Sequence, residues 1–254
     1  VLTYLSYTIL HESAHGSISG SQRQMRWLNE LLGYAAAWIL MMPLTAHRHE
    51  HLAHHRHTND PDDDPDFHVS EIRRSLLKAC TGTLRIYVEQ YRYYLGQRWQ
   101  RGPARQNVNL CLEVAAIFVP RLALLAAGFG TEVVCLFVLG WLAGVILTLY
   151  LFAYLVHRPH EAVGRYVDTS TVIAPTPFNG IVTWLWVFQN YHVIHHLFPR
   201  VPCYHYPRLF ADIEGIMVEK GAPIYTLGWN GLRPRYDASL EAINCAQTPR
   251  PSAS

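Results

Sequence analysis

One uninterrupted apolar run constrains the fold of this chain more than any other feature. From Val133 to Val156 there are 24 consecutive residues without a formal charge, bounded by Glu132 and His157. A helix needs about 20 apolar residues to cross the hydrocarbon core of a bilayer. The run therefore predicts a membrane-spanning helix, and with it an integral membrane protein.

A second apolar segment precedes this run. Val108–Ala127 is apolar except for Glu113 and Arg121, and the connection at 128–132 is long enough only for a hairpin. Charged groups inside a membrane helix are costly unless they face protein, so we expect both side chains to point inward. The segment 47–107 contains ten Arg and Lys residues, which places it on the cytoplasmic side by the positive-inside rule.

Shorter apolar segments predict helices that do not cross the membrane. Leu31–Ala46 is uncharged over 16 residues, which is short for a crossing and predicts an interfacial or re-entrant helix. The aromatic-rich segment Asn179–Tyr191 predicts a second interfacial helix. Val1–Leu10 is interpreted as the end of a spanning helix that is truncated at its start.

Composition narrows the classes of function. Asp, Glu, Lys and Arg make up 16% of the chain, against about 25% in an average soluble domain, and the net charge of +2 indicates no nucleic-acid partner. The five Cys form no CxxC pair and predict no disulfide framework.

The chain becomes polar and Pro-rich beyond Pro199, which predicts a cytoplasmic tail. We expect one N-terminally truncated domain over 1–247, followed by a disordered tail at 248–254.

Histidines form three clusters, each at the border of an apolar segment. On a helix, residues four apart share a face, so two imidazoles of one cluster can reach one metal. Adjacent histidines point about 100° apart, so each can serve a different metal. Imidazoles at membrane depth are costly unless they are paired or ligated. The clusters are His11-Glu-Ser-Ala-His15, His51-Leu-Ala-His54-His55 and His192-Val-Ile-His195-His196.

The number of imidazoles favours two metal ions. Eight imidazoles exceed the four to six ligands that one first-row metal takes, and His157 is a ninth candidate, with His160 a weaker one. An all-imidazole set suits iron, copper or zinc, and spacing alone does not choose between them. Glu12 and Asn190, beside the first and third clusters, are the candidate catalytic residues. Glu12 is expected to accept a hydrogen bond that orients a ligand imidazole.

Two other interpretations use the same residues. His11-Glu-Ser-Ala-His15 matches the HExxH of zinc peptidases, in which Glu12 would be the general base. A zinc hydrolase needs about three protein ligands, which leaves the other two clusters unexplained. A non-enzymatic metal carrier would need a polar path through more spans than this chain offers.

The acidic loop at 59–66 contains two Pro residues and no helical spacing, which favours helix capping or positioning of a partner over metal binding.

The three clusters resemble the histidine boxes of the membrane fatty acid desaturase and hydroxylase superfamily, over roughly 1–210. More narrowly, His51-Leu-Ala-His-His with its following Asn-Asp-Pro-Asp-Asp-Asp-Pro-Asp-Phe is similar to the cyanobacterial-type β-carotene hydroxylases. The same holds for His157-Arg-Pro-His and Gln189-Asn-Tyr-His-Val-Ile-His-His-Leu-Phe-Pro.

This resemblance implies an all-α integral membrane fold, with transmembrane and interfacial helices and a cytoplasmic, histidine-rich di-metal cap in a bacterial inner membrane. It implies two non-haem iron ions, O2 as co-substrate, and a ferredoxin- or rubredoxin-like electron donor. The implied activity is carotenoid ring hydroxylation, with fatty acyl desaturation as the alternative. The metal ligands that it implies are His11, His15, His51, His54, His55, His157, His192, His195 and His196.

Overall fold

The structure is a computed structural model that describes residues 1–236, except for the side chains of 71–74, 76, 79, 80 and 83. The tail predicted at 248–254 lies outside the described residues. The helices are α1 (Leu2–His15), α2 (Arg26–Leu40), α3 (Leu44–His57), α4 (Leu76–Tyr93), α5 (Ala104–Ala126), α6 (Gly130–Tyr154), α7 (Asn179–Leu185), α8 (His192–Leu197) and α9 (Tyr206–Glu219). Short 3₁₀ helices occur at Arg23–Met25, Phe67–Arg74 and Cys203–His205, and the strands are β1 (Thr171–Ile173), β2 (Ile224–Gly228) and β3 (Gly231–Pro234).

The α5–α6 hairpin contains the two helices that are long and apolar enough to cross a membrane. They have 23 and 25 residues and mean hydropathies of 1.9 and 2.4, and only 17% and 28% of their most apolar windows are buried. Leu122 and Leu136 are 60% and 66% exposed on this hairpin. A water-soluble protein avoids such a large exposed apolar surface, whereas lipid covers it without cost.

The two charged residues of α5 face protein, as expected from the sequence. The buried Glu113 carboxylate accepts hydrogen bonds from the backbone N–H of Thr45, at 3.2 Å to Oε2, and from its hydroxyl. The buried Arg121 guanidinium donates to the carbonyl of Trp38 at 2.7 Å and lies 4.3 Å from the centre of the Trp38 ring. Both contacts tie α5 to the α2–α3 segment.

The Leu31–Ala46 run is divided between two helices that are separated by a short turn. α2 ends at Met41, which has a left-handed backbone (φ 55°), and α3 begins three residues later. α2 lies so close to α1 that a Cβ added to Gly33 would be 2.7 Å from Cβ of Ser13. Since α3 then runs back, its C-terminal half lies beside the C-terminal end of α1.

A small sheet makes the all-α expectation wrong in one place. β1 pairs in parallel with β2, and β2 pairs antiparallel with β3 across a turn between Gly228 and Gly231. β-branched residues form β1, and the Asn230-Gly231 sequence favours a tight hairpin turn. The rest of the described chain is mostly helical.

The expectation of a polar tail beyond Pro199 is also wrong. α9 packs Phe210 and Met217 into the same core as Tyr191 and Ile194, next to the third histidine box. Apolar residues at helical spacing outweigh the local Pro content, and Pro207 stands in the first turn of α9, where its missing N–H costs nothing. This segment therefore belongs to the folded domain.

The aromatic-rich segment Asn179–Tyr191 forms α7 and the turn that follows it. Trp184 is 70% exposed, whereas Trp186 is buried and donates its indole N–H to the carbonyl of Leu151 at 3.1 Å. The hydroxyl of Tyr4 donates to the carbonyl of Leu185 at 2.8 Å. α7 is thereby held against α1 and α6 with an apolar face outward.

Candidate metal centre

Histidines from four places in the chain converge at one end of the α5–α6 hairpin. α1 and α3 contribute the first two boxes, α8 contributes the third, and His157 follows α6 by three residues. The turn between α2 and α3 allows the first two boxes to meet.

The first group of converging imidazoles draws on all three boxes. Its ligand atoms all lie within 4.8 Å of one another. Nε2 of His51 is 2.9 Å from Nε2 of His15 and 3.1 Å from that of His55, and Nε2 of His195 is 2.9 Å from that of His55. We call it cluster 1: His11, His15, His51, His55 and His195.

A second group lies next to the first. Cluster 2 consists of His54, His157 and His196, and Nε2 of His54 is 2.9 Å from Nε2 of His157. The remaining box histidine, His192, belongs to neither group, but its ring centre is 4.7 Å from that of His157 and 4.8 Å from that of His196. His192 therefore borders cluster 2.

Adjacent histidines are divided between the clusters. His54 lies in cluster 2 and His55 in cluster 1, and His196 and His195 are divided in the same way. This division follows from the angle of about 100° between successive helical side chains. The adjacent histidines that end the second and third boxes thus supply one imidazole to each of the two clusters.

Hydrogen bonds to the second ring nitrogen orient several of these imidazoles. Nδ1 of His54 donates to the Asp64 carboxylate at 2.8 Å, and Nδ1 of His157 donates to the carbonyl of Ala153 at 2.6 Å. Nδ1 of His195 is hydrogen-bonded to the hydroxyl of Tyr206 at 2.9 Å. A proton held at Nδ1 leaves the Nε2 lone pair facing the cluster, as in protein metal sites.

Burial also determines whether these imidazoles are protonated. It lowers the pKa of His51, His55 and His195 well below 6.5, so these imidazoles are neutral at pH 7, the form that binds metals. Burial also opposes protonation of His54, but the adjacent Asp64 carboxylate outweighs it and raises the pKa of His54 to about 9. The metal-free His54 ring is therefore protonated at pH 7, and a metal bound at Nε2 would displace the proton on that nitrogen.

The residues present fit a pair of metal ions. His11 is 1% exposed, and within the described part of the chain neither of its ring nitrogens has a hydrogen-bond partner; Nε2 of His196 also has none. A buried polar atom without a partner costs about 1–3 kcal/mol, which coordination would relieve. The converging imidazole nitrogens would be the metal ligands. Imidazole is a ligand that suits iron.

Glu12 lies beside the centre but does not bond directly to its nearest histidine. Its Oε1 is 3.8 Å from Nδ1 of His11, while Oε2 accepts from the hydroxyl of Ser17 at 2.8 Å and the N–H of Cys203 at 3.2 Å. Burial and the nearby Glu12 charge raise the pKa of the Tyr206 hydroxyl, which is hydrogen-bonded to His195. The carboxylate thus joins the turn after α1 to the segment that precedes α9, and it makes no hydrogen bond to a histidine in the described residues.

The side-chain N–H groups of Asn190 point into the fold. They donate to the carbonyl of Val172 at 2.8 Å and to the hydroxyl of Thr183 at 3.1 Å. This arrangement joins β1 to α7 immediately before the third box. Asn190 positions α8, and its amide lies outside both clusters.

Sequence analysis did not identify three residues that surround the histidines. Tyr206 and Asp64 bond to His195 and His54, and Oδ2 of Asp168 is 3.9 Å from Nδ1 of His196, with burial raising the pKa of Asp168 to about 6. For Asp64 there was a signal, because it belongs to the acidic loop that was expected to position a partner. His160 stacks on Tyr154 at 5.1 Å and lies outside both clusters.

Comparison with known proteins decides the family. The fatty acid desaturase family model matches residues 1–228. The chain belongs to the fatty acid desaturase family. This membership argues against the HExxH zinc hydrolase interpretation.

Among proteins of known activity, similar relatives are acyl-lipid desaturases and carotenoid enzymes. An sn-1 oleoyl-lipid 12-desaturase of Anabaena variabilis is 23% identical over 82% of this chain and 64% of its own length. A chloroplastic omega-3 fatty acid desaturase of Ricinus communis is 25% identical over 78% of this chain and 48% of its own. A β-carotene ketolase of Paracoccus sp. (strain PC1) is 29% identical over 82% of this chain and 75% of its own. The chain thus spans less than two thirds of the first two relatives.

Proposed function

We propose that the chain is a membrane-bound, non-haem di-iron oxidoreductase that uses O2 and two electrons to oxidise an unactivated C–H bond of a lipid. The observation that carries this proposal is the pair of adjacent all-histidine clusters. The nine histidines named from the sequence would hold the metals, with His192 completing cluster 2. Two bound iron ions would supply the activation of O2.

The overall reaction balances with these reactants. Hydroxylation consumes one C–H bond, O2, two electrons and two protons, and it yields C–OH and one water. Desaturation consumes two vicinal C–H bonds with the same O2, electrons and protons, and it yields a C=C bond and two waters. The orientation of the substrate at the centre decides which of the two occurs.

The chain's own residues hold the centre in one geometry. Asp64 and Tyr206 fix the rings of His54 and His195, and the Ala153 carbonyl fixes that of His157. The Glu12 carboxylate, through Ser17 and Cys203, links the first box to the segment that follows the third. Because Asp64 and Tyr206 are buried, water does not compete for their hydrogen bonds to these rings.

For the substrate we propose a long, membrane-dissolved polyene that is hydroxylated on its terminal ring. The centre lies just beyond the end of α6, so a substrate rising from the bilayer would present one end to the histidines. The amino-acid sequences of the second and third boxes support a carotenoid substrate. The similarity to β-carotene ketolase, which extends over three quarters of that enzyme, supports it as well.

Fatty acyl desaturation is the second candidate. It is favoured by the similarity to the Anabaena 12-desaturase, which extends over 82% of this chain. Both candidates place the centre on the cytoplasmic side of a bacterial inner membrane, an orientation supported by the ten basic residues of 47–107.

Expression in a β-carotene-producing bacterial host tests the proposal. The wild-type chain should yield more polar carotenoids with ring hydroxyls. His195→Ala should abolish the product while the protein still inserts, whereas His57→Ala, in which the lost imidazole lies outside both clusters, should retain it. Unchanged carotenoids with new double bonds in the host's acyl chains would establish the desaturase alternative, and no lipid product at all would overturn the proposal.

A further inference from the structure

A cleft of about 740 Å³ opens beside cluster 1, and neither the fold nor the proposed chemistry accounts for it. Its wall includes the partly exposed His15, the turn that follows α1, and the segment 200–202 after the third box. Nε2 of His15 is 2.9 Å from that of His51. The cleft is thus a water-accessible approach to the centre that ends on one of its histidines.

The cleft carries an excess of positive charge. Arg26, Arg48 and Arg200 line it, and Glu30 is the acidic residue in its wall. Glu30 is already paired with Arg48 at 2.7 Å. In the described part of the chain neither Arg26 nor Arg200 forms an ion pair, and both are exposed. Two arginine charges are therefore available to an incoming partner.

The direction in which the cleft faces indicates a water-soluble partner. The start of α1 packs on the membrane-spanning helix, since Thr3 lies so close that a Cβ on Gly144 would be 2.5 Å from its Cβ. His15 and the turn after it stand at the other end of α1, where Gly20 and Ser21 are exposed and polar. The mouth therefore opens away from the spanning hairpin.

We propose that this cleft is the docking surface for a small, acidic one-electron carrier protein. The inference rests on the proposed function, because that reaction consumes two electrons. Each docking event would oxidise one reduced carrier and pass one electron, by way of His15, to the metal that cluster 1 would hold. Two such events supply the two electrons that O2 and the C–H bond require, and the protons come from water.

Charge complementarity is the physical basis of this assignment. Opposite charges across an interface steer encounter and fix orientation, and their contribution falls as salt screens them. Arg26 and Arg200 belong to different segments that both line the cleft. A carrier with acidic side chains around its redox centre would be oriented with that centre towards His15.

Direct binding tests the docking surface without relying on turnover. The probes are an oxidised acidic [2Fe–2S] ferredoxin and a rubredoxin, titrated against the full-length, detergent-solubilised protein. The variant is the double charge reversal Arg26→Glu with Arg200→Glu. The matched control is Arg165→Glu, which reverses the charge of an exposed arginine outside the cleft. At about 50 mM salt the double variant should weaken binding at least about tenfold, and the difference should shrink to about twofold at 0.5 M salt.

Steady-state turnover then separates this inference from the proposed function. The double variant should lower kcat/KM for the carrier by the factor found in binding, and it should leave the KM for the lipid unchanged. The docking surface would be overturned if the double variant bound the carrier as tightly as the wild type, or if Arg165→Glu lost as much affinity as the double variant. It would also be overturned if neither probe bound to the wild type. A raised lipid KM with unchanged carrier affinity would instead assign the cleft to an anionic lipid head group. A wild type that binds the carrier but oxidises no lipid would overturn the proposed function alone.

Discussion

The Asp64 carboxylate accepts a hydrogen bond from Nδ1 of His54 at 2.8 Å, and both side chains are buried. Asp64→Asn keeps the shape of the side chain but removes the charge that holds the proton at Nδ1. Loss of such a partner typically weakens metal affinity about 10- to 100-fold. We therefore expect Asp64→Asn to lose metal from cluster 2 to a competing chelator at a correspondingly lower chelator concentration.

The control for this prediction is Asp62→Asn. Asp62 is an exposed member of the same acidic loop and does not contact the histidines through a side-chain hydrogen bond in the described residues. Equal chelator resistance of Asp64→Asn and wild type would show that the carboxylate does not support the centre.

The approach of His15 to His51 predicts the membrane topology. Their Nε2 atoms are 2.9 Å apart, so the α2–α3 segment between them cannot cross the bilayer. Topology reporters fused after Gly20 and after Ser70 should report the same side of the membrane. Reporters on opposite sides would separate the first two boxes by about the 30 Å of the hydrocarbon core and rule out a shared centre.

Close packing of α2 on α1 predicts the effect of a single methyl group. A Cβ on Gly33 would lie 2.7 Å from Cβ of Ser13 and 2.8 Å from a methyl carbon of Leu44. Gly33→Ala should destabilise the protein by about 1–3 kcal/mol through overpacking, measured as a lower thermal unfolding midpoint in detergent. Gly215→Ala is the control, because nothing lies within 4 Å of its added Cβ and alanine favours the helix. A midpoint for Gly33→Ala at or above that of wild type would contradict the packing.

The sequence was sufficient to predict the convergence of the boxes but not the residues that orient them. Helical spacing is local, so the separation of His54 from His55 follows from their adjacency alone. The partners of these rings come from elsewhere: Tyr206 is 11 residues from His195, and Asp64 reaches His54 only because the acidic loop folds back. Contacts across loops depend on tertiary packing, which no periodicity encodes.

The region beyond Pro199 shows why local composition was misleading. In 200–236, Pro, Gly and polar residues are about as numerous as the apolar ones and interrupt them, which obscures the helical spacing of Phe210 and Met217. Those two side chains bury α9 against the third box, which brings Tyr206 to His195. The three-residue strand β1 is likewise too short for periodicity to reveal.

The buried histidines predict how pH affects the stability of the metal-free protein. Because their pKa values in the folded state lie well below 6.5, the unfolded chain binds more protons as the pH falls below about 6.5, and the free energy of unfolding decreases. His54 and the carboxyl groups of Asp168 and Glu50, whose pKa values are raised in the folded state, act in the opposite direction, but the lowered histidines outnumber them. The lowered set comprises His15, His51, His55, His157, His192, His195 and His196.

Thermal unfolding of the chelator-treated protein at pH 7.5 and pH 5.5 checks this sign. We expect a lower midpoint at pH 5.5. An equal or higher midpoint would mean that the histidines are not buried in neutral form when the metal is absent.

The metal content of the purified protein tests the two-cluster centre most directly. Protein extracted from membranes without oxygen should contain two iron atoms per chain by elemental analysis. His54→Ala should lose the iron of cluster 2, whereas His57→Ala, outside both clusters, should keep two. One zinc per chain and no iron would contradict the account.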